Sequence, residues 1–163
     1  MDSVSSRWLS PVVQAFLALL LSVASNALLF GLNLDQYFDV IQQPSFAPEG
    51  WVIGTVWSFL FAMQGYAKGL IDQSNLPIAT LASRSLLVLI VSNACYGFYV
   101  PPLLETTRIP GLLGNLLCLG LGAFSLGASW SVSRTAALLI LPMILWISFA
   151  TVIVGGQIAL NGL

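Results

Sequence analysis

Histidine is absent from this 163-residue chain, and charge nearly so: five Lys/Arg and six Asp/Glu make up 7% of the residues. Without histidine the usual general base, zinc ligand and haem axial ligand are missing. A soluble domain carries about a quarter charged residues, so this chain has too little charge to cover a surface that faces water. The few charges nearly balance, which leaves no basic patch for phosphates and excludes nucleic acid as a partner. Cysteine is scarce too. Cys95 and Cys118 stand in separate apolar runs without a CxxC pair, and read as small buried apolar residues. The acidic residues sit near loops and form no carboxylate pairs. These absences argue against a hydrolase, a metalloenzyme or a haem enzyme, so no catalytic residue, metal ligand or cofactor is assigned.

What is present is apolar. Hydrophobic residues make up 58% of the chain, mean hydropathy is +0.93, and disorder is excluded on the same ground. Five gaps between charges, Arg7–Asp35, Glu49–Lys68, Arg84–Glu105, Arg108–Arg134 and the run after Arg134, enclose 18 to 29 residues each. A helix needs about 20 apolar residues to cross the hydrocarbon core, and the runs lack the alternation of barrel strands. The chain therefore reads as an all-α membrane protein, a bundle of five transmembrane helices in one domain. The spans fall near 12–32, 51–70, 80–101, 110–130 and 136–158, with a loop over 33–50. The first run has features of a signal peptide, but apolar sequence continues through Leu28-Leu29-Phe30-Gly31-Leu32. It reads as helix one.

Five spans place the termini on opposite sides of the bilayer. Arg7, Lys68, Arg84 and Arg134 share one side, and Arg108 alone of the basic residues lies on the other. The positive-inside rule then predicts a cytoplasmic N-terminus, with the C-terminus and the 33–50 loop opposite. Trp8 and Trp130 fall at the basic interface, Trp51 and Tyr99 at the other, as aromatic belts do. The 33–50 loop carries Pro44, Pro48 and three aromatics, Tyr37, Phe38 and Phe46. It reads either as a folded cap on the helix ends or as a loop wetting the headgroups.

No charge lies near the middle of a span, which argues against ion-coupled transport. The intramembrane polar residues are the amides Asn26, Gln64, Asn93, Asn115 and Gln157, whose ordinary role is hydrogen bonding between helices. Span four carries Gly114, Cys118 and Gly122 at four-residue spacing, a stripe suited to a dimer face or to an internal contact. Leu60, Tyr66 and Lys68 match a weak pattern proposed for cholesterol. Trp57, Phe61 and Gln64 share a face of span two, and Trp146, Phe149 and Ile153 a face of span five. Such stripes serve packing or a ligand pocket alike.

Three stretches resemble the tryptophan-rich sensory protein/translocator protein family, TspO/MBR. Tyr37 through Pro48 is similar to that family's W-Y-x-x-L-x-K-P-S-W-x-P loop, and Trp51 through Trp57 to its W-x-F-G-x-x-W helix start. Pro142 through Thr151, followed by Leu160-Asn161, resembles its P-Y-x-x-W-x-x-F-A-T…L-N fifth helix. The chain departs at Phe38, Gln43 and Phe46, where the family has Tyr, Lys and Trp, and span three keeps only Asn93 of its motif. The resemblance implies a ligand cavity under the first loop that takes porphyrin-type tetrapyrroles, with a sterol-like ligand as a further candidate, and a homodimer. It implies binding residues at Trp57, Asn93, Trp146, Phe149 and Ala150, and extends to Phe38, Pro44 and Trp51. The expected function is a receptor or carrier in tetrapyrrole transport, sensing or stress response. The runners-up are porphyrin photo-oxidation assisted by Trp57 and Trp146, and a structural protein without ligand.

Overall fold

The computed structural model describes residues 9–38, 40–103 and 107–162. Trp8 and the side chains of Tyr37 and Phe38 lie outside the described set, so the reading of Phe38 as a ligand contact finds no placement. The described chain forms five long helices and no strand: α1 (Pro11–Gly31), α2 (Gly50–Asp72), α3 (Pro77–Tyr99), α4 (Ile109–Trp130) and α5 (Arg134–Asn161). Their boundaries are chemical. Ser10 and Ser133 cap α1 and α5 by accepting hydrogen bonds from Val13 N–H (3.3 Å) and Ala136 N–H (3.2 Å). Pro11, Pro77 and Pro110 occupy first-turn positions, where a missing N–H costs nothing. Asn33 ends α1 in the left-handed region at φ 55°, and Leu34 N–H closes on Leu29 O at 3.0 Å, a Schellman-type stop.

The helices pack in a closed order, α1, α2, α5, α4, α3 and back to α1, with α2 also touching α3 across the ring. Four of them are long and apolar enough to cross a membrane. The fifth, α2, contains Trp51, Trp57, Gln64, Tyr66 and Lys68, which lower its apolarity. It touches three other helices, so much of its surface meets protein and needs less apolar character than a surface against lipid. Large apolar side chains such as Val12, Phe59, Leu117 and Leu145 stand exposed around the bundle, while Gln64, Asn93, Asn115 and Gln157 are buried. That polarity suits a bilayer as solvent.

Close approach is confined to small residues. A Cβ on Gly65 or Gly69 would collide with the α1 backbone at Gln14 O and Pro11 Cα, so α1 and α2 touch backbone to backbone there. The span-four stripe is an internal contact. Gly114 lies under the rings of Tyr96 and Tyr99, and Gly122 faces Met143 and Ile144 of α5. Cys118 is buried beside them, but Cys95 is exposed on the bundle surface, contrary to its reading as a buried apolar residue.

The two ends of the bundle differ. Ile71, Leu86, Leu89, Ile140 and Met143 are fully buried. They come from the C-terminal end of α2 and the N-terminal halves of α3 and α5, so the tightest packing fills the end far from the 33–50 loop. There Asp72 accepts hydrogen bonds from Lys68 (2.7 Å) and Gln14 (2.9 Å), joining α1 to α2. The loop end packs less tightly.

Candidate functional site: a cavity beneath the first loop

The 33–50 loop is held to the end of α5 by amide side chains. Asn161 accepts from Gln42 N–H (2.8 Å) and donates to Gln42 O (2.9 Å), while Gln157 donates to Gln43 Oε1 (2.9 Å). Ile41 is buried against Val100 and Tyr96 at the end of α3. Pro44 is buried over Gly156, whose missing side chain leaves room for the ring. Phe46 meets Phe149 at 6.4 Å between centroids. The loop thus lies across the helix ends through polar and apolar contacts together, as a folded cap.

Beneath it lies a cavity of about 590 Å³, lined by all five helices and by the loop. That volume falls within the roughly 300–1,000 Å³ of small-molecule sites. Trp57 of α2 and Trp146 of α5 contribute to its wall, with Ala150, Ile153 and Val154 on the same face of α5. The α5 helix runs through Pro142, whose ring nitrogen leaves Leu138 O without its helical donor one turn before Trp146. Each indole is buttressed by a phenyl ring, Trp57 by Phe61 at 6.0 Å and Trp146 by Phe149 at 5.8 Å.

Amides stand among the polar groups of the cavity, beside the charged Asp35, Glu49 and Arg108. Asn93 donates to Gln64 Oε1 (3.4 Å), and Gln64 in turn donates to Leu60 O (3.3 Å). Asn93 Oδ1 and Asn115 Nδ2 are buried, and neither has a hydrogen-bond partner among the described residues. A free acceptor and a free donor therefore belong to one wall system, available to a ligand that offers the complement of each.

Of the residues expected to bind ligand, Trp57, Asn93, Trp146 and Ala150 come together on the cavity wall. Phe149, Pro44 and Trp51 do not line it. Phe149 stands behind Trp146 and supports the loop through Phe46, and Pro44 secures the cap. Trp51 is 71% exposed, and its indole N–H donates to the Glu49 carboxylate, a placement that suits the interfacial belt. At the other end Trp130 lies partly exposed with the Arg134 guanidinium 5.7 Å over its ring. Asn115 and Arg108 also line the cavity. Asn115 carries a signal as an intramembrane amide, but spacing alone assigns it no face toward Trp57. Arg108 reads in the sequence only as a loop charge.

Proteins of known family are similar to this chain in sequence. The human translocator protein is 30% identical over 120 residues, covering 71% of this chain and 69% of its own length. The tryptophan-rich protein TspO of Chlorobaculum tepidum is 27% identical over 122 residues, covering 71% and 73%. A translocator protein homolog of Schizosaccharomyces pombe is 28% identical over 122 residues, covering 74% of each chain. The sequence profile of the TspO/MBR family matches residues 14–158, through all five helices and the loop. This chain is a member of the TspO/MBR family.

Proposed function

We propose that the chain is a membrane receptor or carrier for porphyrin-type tetrapyrroles, held in the cavity beneath the 33–50 loop. The observation that carries the reading is the pair of indoles, Trp57 and Trp146, on the wall of one cavity of about 590 Å³ that also presents the amides Asn93 and Asn115. Flat aromatic walls suit a flat conjugated macrocycle, which gains by stacking and by burial of its apolar faces. Since the sequence contains no histidine, a bound metalloporphyrin would be held by stacking and burial rather than by an imidazole–iron bond. The accompanying biology is transport, sensing or stress response, and the accompanying assembly is a homodimer.

Titration of the purified protein with protoporphyrin, followed by quenching of tryptophan fluorescence, tests the reading. Saturable 1:1 quenching without loss of the porphyrin spectrum is expected. Progressive bleaching in light and oxygen that disappears in Trp146→Ala would instead support porphyrin degradation. Saturable displacement by cholesterol would extend the site to sterols. Absence of saturable quenching would leave the tryptophans with a packing role only.

A further inference from the structure

Arg108 stands apart from the other charges of the loop end. It occupies the N-cap position of α4 and is half-buried in the wall of the cavity. Its Nε is buried and has no hydrogen-bond partner among the described residues. Asp35 and Glu49 also line the cavity, yet neither lies within ion-pair distance of it. The Glu49 carboxylate accepts instead from Trp51. A buried guanidinium N–H left without an acceptor is costly, so the group is poised for an anion that the described protein does not supply. Its backbone is fixed on both sides. Thr107 Oγ1 accepts from Ile109 N–H at 3.2 Å, and the Tyr96 hydroxyl donates to Gly111 O at 3.3 Å. The start of α4 adds the positive end of its dipole.

We propose that Arg108 reads an anionic group at the edge of the cavity ligand, and that this group is a carboxylate. The inference rests on the cavity being the ligand site. Guanidinium matches carboxylate and phosphate geometry alike. The cavity wall already holds Asp35 and Glu49, however, and a phosphate dianion would meet stronger repulsion there than a single carboxylate. The ligand is then amphipathic, with a flat apolar body toward Trp57 and Trp146 and an acidic edge toward Arg108.

The test compares protoporphyrin with its dimethyl ester, titrated against the full chain in detergent. The two share one macrocycle and differ in the carboxylates. Arg108→Gln should weaken the diacid on the order of tenfold and leave the diester nearly unchanged. Arg108→Lys should keep part of the preference, and added salt should weaken the diacid selectively in the natural chain. Diester affinity also reports that the variants are folded. Unchanged diacid affinity in Arg108→Gln, or equal loss for both forms, overturns the inference while leaving the cavity reading intact. Binding of neither form by the natural chain would overturn both.

Discussion

The two indoles and the two amides of the cavity are not equivalent as probes of binding. Removing either Trp57 or Trp146 deletes a large flat wall. Alanine there should weaken porphyrin binding by about 1–3 kcal/mol, or roughly 5–150-fold. Trp130→Ala, at the far interface, should leave affinity unchanged, and equal loss at Trp130 and Trp146 in fluorescence titrations would contradict the cavity assignment. The amides separate binding from stability. Asn93→Leu removes the donor to Gln64 Oε1, leaving a buried acceptor unpaired at a cost of about 1–3 kcal/mol in stability. Any loss of affinity there is mixed with loss of fold. Asn115 is cleaner, because its Nδ2 already lacks a partner among the described residues. Asn115→Leu should preserve or raise thermal stability, yet weaken a ligand that accepts from it by about 1–2 kcal/mol, roughly 5–30-fold. A titration paired with a melting curve distinguishes these outcomes.

At the scale of helices, the close contacts decide which glycines matter. Gly65→Ala or Gly69→Ala places a methyl group against the α1 backbone, which has no flexible end to move aside. Each should cost about 1–3 kcal/mol and lower the melting temperature in detergent. Gly122 meets the tips of Met143 and Ile144, so alanine is tolerable there while Gly122→Leu should loosen α4 from α5. Gly120 and Gly127 have open space where a Cβ would stand. Alanine at either position should stabilise the monomer fold by about 0.5–1 kcal/mol through helix propensity. Exposed Gly120, Ala123 and Gly127 lie on one side of α4, so a bulky residue there should affect a homodimer before it affects the fold, as size-exclusion chromatography would show. The number of helices was legible because charge is too costly in lipid to be scattered along a span. Contacts between helices were not. The GxxxG-type pair Gly65 and Gly69 is shorter than the stripe on α4 yet meets backbone where that stripe meets side chains, and spacing identifies a small face without identifying its partner. Phe149 illustrates the same limit: it shares a stripe with Trp146, yet one turn of α5 carries it to the rim, against Phe46.

The whole molecule is polarised along its axis, with tight apolar packing at one end and a capped cavity at the other. The cap depends on Asn161 and Gln157 reaching back more than a hundred residues to Gln42 and Gln43, a pairing that no local sequence signal contains. The L-N pair at the end of α5 was legible only as a likeness, and its physical meaning is a two-way hydrogen bond to the loop backbone. The arrangement places the cavity mouth, the loop and the C-terminus on one side of the bilayer, while Lys68, Arg84 and Arg134 lie at the other end. Lys68 is paired with Asp72 at 2.7 Å, so its charge is largely cancelled locally. Arg84 and Arg134 remain exposed at that end against Arg108 at the cavity end. Basic residues are retained on the cytoplasmic side during insertion, so the cavity should open away from the cytoplasm. Ser45 is exposed on the loop, while Cys95 and Cys118 lie within α3 and α4. A Ser45→Cys chain should therefore react with a membrane-impermeant maleimide from the non-cytoplasmic side, over the background of the natural chain. Labelling that requires access from the cytoplasmic side would reverse the orientation and place the ligand's entry route on the other face of the membrane.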